Sequence, residues 1–152
     1  CHLQGPEGQW WWIYNVARGT TVVRYPVYSV HQDAMGPMAL LAVASTNQLS
    51  PKYARAIVKS VDWLESHPEL PAASLVDCRL GVVWRAIQRD VPQRTGVFGL
   101  GRWERFRMNV AAWTGRQDNA CFRDGYVCDE CRPYHLGWIL VANAMAAALN
   151  RA

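Results

Sequence analysis

Lysine is almost absent from this chain of 152 residues: of its sixteen basic residues only Lys52 and Lys59 are lysine, and the other fourteen are arginine. Charge is sparse altogether, at 18% of residues against about 25% in an average globular domain, which excludes a chain held open by its own charge. The net charge of +4 is not gathered into a patch, because Arg102, Arg105 and Arg107 form the one dense group and Glu104 interrupts it. A nucleic-acid interface clusters its basic residues, so no nucleic acid is assigned as a partner. No apolar run reaches the roughly 20 residues of a membrane span. The longest, Met38–Ala44 and Leu136–Leu149, are short or interrupted by Gly137 and Asn143. Cysteines number five, and an odd count argues against a closed disulfide framework. Unpaired thiols suit a cytoplasmic setting.

What is present is apolar and aromatic. Hydrophobic residues make up 51% and tryptophans number eight, enough for the core of one domain or of part of a larger one. The sharpest pattern is Cys121-x6-Cys128-x2-Cys131-x3-His135. It offers four zinc ligands in principle, but the first gap is unusual and no second knuckle accompanies it. A transient redox pair and ordinary reduced thiols are the other readings, and no metal or cofactor is assigned.

Along the chain, Gln9–Tyr14 and Val22–Tyr28 read as an extended hairpin with its turn near Gly19. A helix is expected from about Asp33, since Pro37 is tolerated only in a first turn. Its stretch Met38–Ala44 is apolar on every face and is expected to be buried all round. Ser50 caps the next helix and Pro51 opens it, with Ala54, Ile57, Val58, Val61 and Leu64 at helical spacing. Residues 68–100 read as irregular, apart from a short strand over Leu80–Ile87. Arg102–Trp113 reads as a helix, 114–132 as a polar loop and Pro133–Ala152 as a final helix buried along most of its length. Buried helices require a second layer outside them. The expected fold is therefore mainly α, a double ring of helices with a short β-hairpin near the N-terminus.

The motif Gln4-x3-Gly8-x-Trp10 resembles the Q-x-x-x-G-x-W motif of the terpene cyclase and prenyltransferase toroids, in which Gln and Trp tie one helix end to the next hairpin. The stretches Gly5–Trp12, Tyr25–Met38 and Glu130–Trp138 also look like bacterial toroid proteins that resemble both those cyclases and the six-hairpin glycan-processing enzymes. The resemblance implies an (α/α) toroid of helical hairpins. The chain begins at Cys1 rather than at Met, and on this reading it is a C-terminal fragment whose partner is the remaining part of its own ring. The departures bear on chemistry. The D-x-D-D motif of class II cyclases is missing. Asp129-x-Cys131 mimics the zinc pair of protein prenyltransferases, but His135 lies only four residues on and no later histidine exists.

Three places carry candidate chemistry. His31 and Asp33 stand where an extended segment enters a helix. Asp33 can cap that helix while His31 holds its loop, or the two can act as acid and base at a cavity mouth, with Tyr25 and Tyr28 against a sugar. Arg132, Tyr134 and His135 stand at the start of the last helix. Two inner helices of like direction would bring them to the same end of the barrel as His31 and Asp33. Trp84 and Arg85 form the third, where Arg85 sits among apolar Val82, Val83, Ala86 and Ile87 and either pairs with Asp77 or Glu104 or faces an anionic ligand. Trp63, Trp103 and Trp113 are expected in the core. Of Trp10, Trp11 and Trp12 at least one is expected there, since consecutive strand residues face opposite ways. Together these residues suggest a glycan-processing or sugar-binding protein with a small-molecule or oligosaccharide ligand. An isoprenoid enzyme and a non-catalytic partner-binding protein are the alternatives.

Overall fold

The structure is a computed structural model, and it describes residues 1–46, 50–89, 106, 110, 113, 114 and 125–151. Cys121, Glu104 and most of the helix expected over Arg102–Trp113 lie outside the described residues. Strand β1 (Ile13–Asn15) pairs antiparallel with β2 (Thr20–Val23) across a turn that Gly19 closes at φ +61°. The chain then forms the short strand β3 (Val27–Tyr28). It winds through a wide turn, His31–Met35, in which the Gly36 N–H donates to the His31 carbonyl five residues back. Pro37 has no N–H to offer the Asp33 carbonyl, and helix α1 (Gly36–Thr46) continues from there. Helix α2 (Pro51–Asp62) starts as its sequence dictates, with Pro51 in its first turn and Ser50 Oγ accepting from the Lys52 N–H.

Between α2 and the C-terminal helix the structure departs from the sequence reading. A small hairpin joins β4 (Val76–Asp77) to β5 (Val82–Val83). The turn is made by Asp77, whose Oδ1 accepts from the Arg79 and Leu80 N–H groups, and by Gly81 at φ +65°. Strand β6 (Ala86–Arg89) follows, and β7 (Gly125–Cys128) arises inside the stretch read as a polar loop. β6 is the centre of an antiparallel sheet ordered β3-β6-β7, in which Ile87 faces Val27 on one side and Val127 on the other. Helix α3 (Pro133–Leu149) closes the chain. The described residues thus hold three helices and seven strands in three sheets.

This is a small mixed α/β fold, and it corrects the expectation of a mainly α toroid. The strands are two to four residues long, too short for a period of two to show in sequence. In the sheet β3-β6-β7 the paired residues also lie tens of positions apart. Neither the helix expected to be buried all round nor the last helix, expected to be buried along most of its length, is so. In α1 the residues Pro37, Leu41 and Ala44 are buried while Val43 is exposed, and in α3 only His135 and Ala142 are buried. An inner ring of buried helices, and a partner in the form of the rest of such a ring, therefore have no basis in this fold. α2 is amphipathic, but it buries Ala56 and Ser60 with Trp63 and Leu64 beyond them, leaving Val58 and Val61 in solvent.

The core gathers Trp11, Val27, Trp63, Leu64, Leu75 and Ile87, with Tyr14, Tyr25, Trp84 and Val127 packed around it. Trp113, expected inside, is exposed. Polar side chains staple the N-terminal segment over this core. Gln4 Nε2 donates to the Gly8 and Ala56 carbonyls. Glu69 accepts from Gln9 Nε2 at 2.7 Å and from Trp63 Nε1 at 2.9 Å. Gly8 sits at φ +109° with α2 against it: a Cβ there would lie 2.2 Å from the Lys59 carbonyl oxygen. Among the described residues no helix is long and apolar enough to cross a membrane.

Candidate functional site

The wide turn His31–Met35 is where the elements converge. α1 leads away from it, α2 and α3 pack against it, and β3 runs into it. Such wide turns recur at functional sites. Gln32, wholly buried, points inward and clamps the N-terminal segment. Its Oε1 accepts from the Trp10 N–H at 2.7 Å, and its Nε2 donates to the Trp10 and Tyr28 carbonyls at 2.9 and 3.0 Å. This fixes Trp12 beside the turn. The Trp12 ring stacks on His31 with centroids 6.0 Å apart and meets Tyr28 edge-on at 4.9 Å.

Asp33 lies one residue further on and reaches α3. Its two carboxylate oxygens stand 2.8 and 2.9 Å from His135 Nε2, and the side chains are only 6% and 4% exposed. An ionised carboxylate only accepts, so Nε2 carries the proton in that state. Burial pushes the Asp33 carboxyl above the usual carboxylate range, with the His135 hydrogen bond and charge pulling it partly back. Burial also lowers the pKa of His31, keeping that imidazole neutral near pH 7. Tyr28 is raised chiefly by burial, against the pull of Arg85 and Arg132.

The third side of the site is polar and cationic. Arg85 precedes β6, and its backbone is held on both flanks. Its N–H donates to the Cys128 and Glu130 carbonyls, and its carbonyl accepts from the Ser29 N–H and Oγ. Its guanidinium bonds Glu130 and lies 5.4 Å from the Tyr28 ring centroid. Arg132, the extended residue just before α3, bonds the other oxygen of Glu130 and lies 5.9 Å from the Tyr134 ring. The hydrogen bond from Arg132, with a further one from Arg85, holds the Glu130 carboxyl below its ordinary range.

Beside these groups lies a half-open cavity of about 230 Å³. Trp12, Tyr28, His31 and Met35 line one part of it, and Arg85, Arg132, Tyr134 and His135 another. Asp33 stands behind His135. Of the residues singled out in sequence, the structure brings together His31, Asp33, Tyr28, Arg85, Arg132, Tyr134 and His135. It places Tyr25 and Trp84 against the core instead. Arg85 pairs with Glu130 and not with Asp77, which is used in its own turn. Asp62 ends α2 in solvent. Cys128 and Cys131 are unbridged, and His135 is engaged by Asp33. Among the described residues no group of three or more His, Cys, Asp or Glu is placed to hold a metal ion.

Sequence reasoning missed Gln32 as the clamp and Glu130 as the bridge between two arginines, and left open which of Trp10–Trp12 would be free to stack on a ligand. The signals were local and weak: a glutamine between two candidate residues, and an acid two positions before Arg132. Comparison with protein-family models, with curated proteins and with solved structures finds no match for this chain.

Proposed function

We propose that this chain binds a saccharide in the cavity and that His135, held by Asp33, moves a proton to or from it. The observation that carries the reading is the buried Asp33–His135 pair in the wall of an aromatic cavity. A carboxylate behind an imidazole fixes its tautomer and orientation, the arrangement a general acid or base needs. His31, neutral and stacked on Trp12, is a second proton acceptor in the same wall. The rings of Trp12, Tyr28 and Tyr134 offer apolar faces with polar edges, which suits the C–H face of a sugar ring. At about 230 Å³ the cavity is smaller than the roughly 300–1,000 Å³ of drug-sized sites, so it takes one ring rather than a stretch of polymer.

Hydrolysis by two opposed carboxylates is not the chemistry these groups favour, because the described carboxylate behind the wall, Asp33, is committed to an imidazole. The non-catalytic reading with Trp10–Trp12 as a partner contact is weakened by the burial of Trp11 and the stacking of Trp12.

The test is a glycan array of neutral and acidic oligosaccharides, followed by turnover assays on the best binder. Asp33→Asn and His135→Ala are expected to keep binding while turnover falls about 10²–10⁴-fold, the usual loss on removing a general acid or base. No saccharide bound, or unchanged turnover in both variants at unchanged melting temperature, overturns the reading.

A further inference from the structure

Glu130 has a position that the proton-transfer chemistry does not use. It lies in the link between β7 and α3, where its own carbonyl is anchored by the Arg85 N–H while its side chain remains 41% exposed. Each of its carboxylate oxygens is taken by a different arginine, one by Arg85 Nη1 and the other by Arg132 Nε. Both arginines line the cavity. Two guanidinium groups face one carboxylate, so this set of three side chains carries one positive charge in excess. A guanidinium has five N–H donors in a rigid fork, and Glu130 engages one of them on each arginine.

We propose that Glu130 is the internal counterpart of an acidic group on the ligand, so that the cavity takes a saccharide bearing a carboxylate, which exchanges with Glu130 between Arg85 and Arg132. The proposal rests on the saccharide reading above and names its substrate class. Three features support the exchange. Each guanidinium has a contact besides Glu130, Arg85 over the Tyr28 ring and Arg132 over the Tyr134 ring. The displaced Glu130 side chain moves into water from a position already partly in water, and an ion pair this exposed contributes little to stability. The incoming carboxylate presents the same two oxygens, and charge-assisted bonds from arginine suit a planar carboxylate.

The experiment is calorimetric titration of the full chain with methyl β-glucuronide, methyl β-glucoside and inorganic phosphate, each with the wild type, Glu130→Gln and Arg132→Gln. Removing the competing carboxylate is expected to tighten glucuronide binding about tenfold, the equivalent of one modest charge-assisted bond, and to leave the glucoside unchanged. Arg132→Gln is expected to weaken the glucuronide alone. Equal binding of both glycosides by all three proteins overturns this proposal and leaves the saccharide reading standing. Glucuronide binding that is unchanged or weaker in Glu130→Gln, with its melting temperature retained, overturns the exchange. Phosphate bound with neither glycoside bound, or nothing bound at all, overturns the saccharide reading and this proposal with it.

Discussion

Gln32 is wholly buried yet fully engaged: one side-chain amide serves the Trp10 N–H, the Trp10 carbonyl and the Tyr28 carbonyl. It gives an irregular segment the hydrogen bonds that a neighbouring strand would have supplied. Gln32→Leu keeps the volume and strands three backbone groups, each costing about 1–3 kcal/mol when buried without a partner. The variant is expected to lose about 3 kcal/mol or more in urea unfolding and to free Trp12 from the cavity wall, read as a red shift of tryptophan fluorescence. Unfolding at wild-type denaturant concentration would show that these bonds are replaced by water. His31 and Asp33 were legible as candidates because a titratable pair at a helix entrance is conspicuous. Gln32 between them was not, since nothing in a sequence distinguishes a solvated glutamine from one that spans two segments.

At the scale of elements, α3 shows how composition misleads. Its run of Leu, Ile, Val, Ala and Trp reads as a helix buried along most of its length. In the fold Ala142 is 6% exposed and Leu140 is 70% exposed. Ala142→Glu is expected to cost more than about 2 kcal/mol, because it places an unpaired charge in a packed interface. Leu140→Glu should stay within about 0.5 kcal/mol, as surface changes do. Thermal melts of the two variants side by side check both, and equal losses would mean that Leu140 is covered in solution. Hydrophobicity thus announced a helix without telling which face is covered. By contrast the start of α2 was readable to the residue, because Ser50 and Pro51 act within a single turn, where no distant partner intervenes.

For the whole molecule, acid is the condition that tests the packing. Burial lowers the pKa of both His31 and His67, so the unfolded chain binds more protons than the folded one once pH falls below the ordinary histidine value of about 6.5. The stability these imidazoles allow is complete above that pH and is lost as pH falls through their folded values. Asp33 acts in the opposite sense above the ordinary carboxylate range: its raised pKa means that the folded state keeps its proton to higher pH than the unfolded state does. Melting temperature is expected to fall from pH 7 toward pH 5 and to fall less steeply in His31→Gln. A profile that is flat over that range, or one that the variant leaves unchanged, would show that these histidines titrate normally in the folded protein.

The sequence by itself determined what is local. It set the turn before β2, the cap of α2, the place of Pro37 in the first turn of α1 and the presence of titratable and cationic residues at the entrances to α1 and α3. It also excluded a dense basic patch and a long apolar span. Only the tertiary structure decided that Val27, Ile87 and Val127 form one sheet, because each strand is too short to signal itself and gains its stability from partners far along the chain. The same holds for the site. Asp33 and His135 are 102 positions apart, and Arg85 and Glu130 are 45 apart. No local pattern encodes such pairs, since their free energy of association exists only after the intervening chain has folded and excluded water from between them.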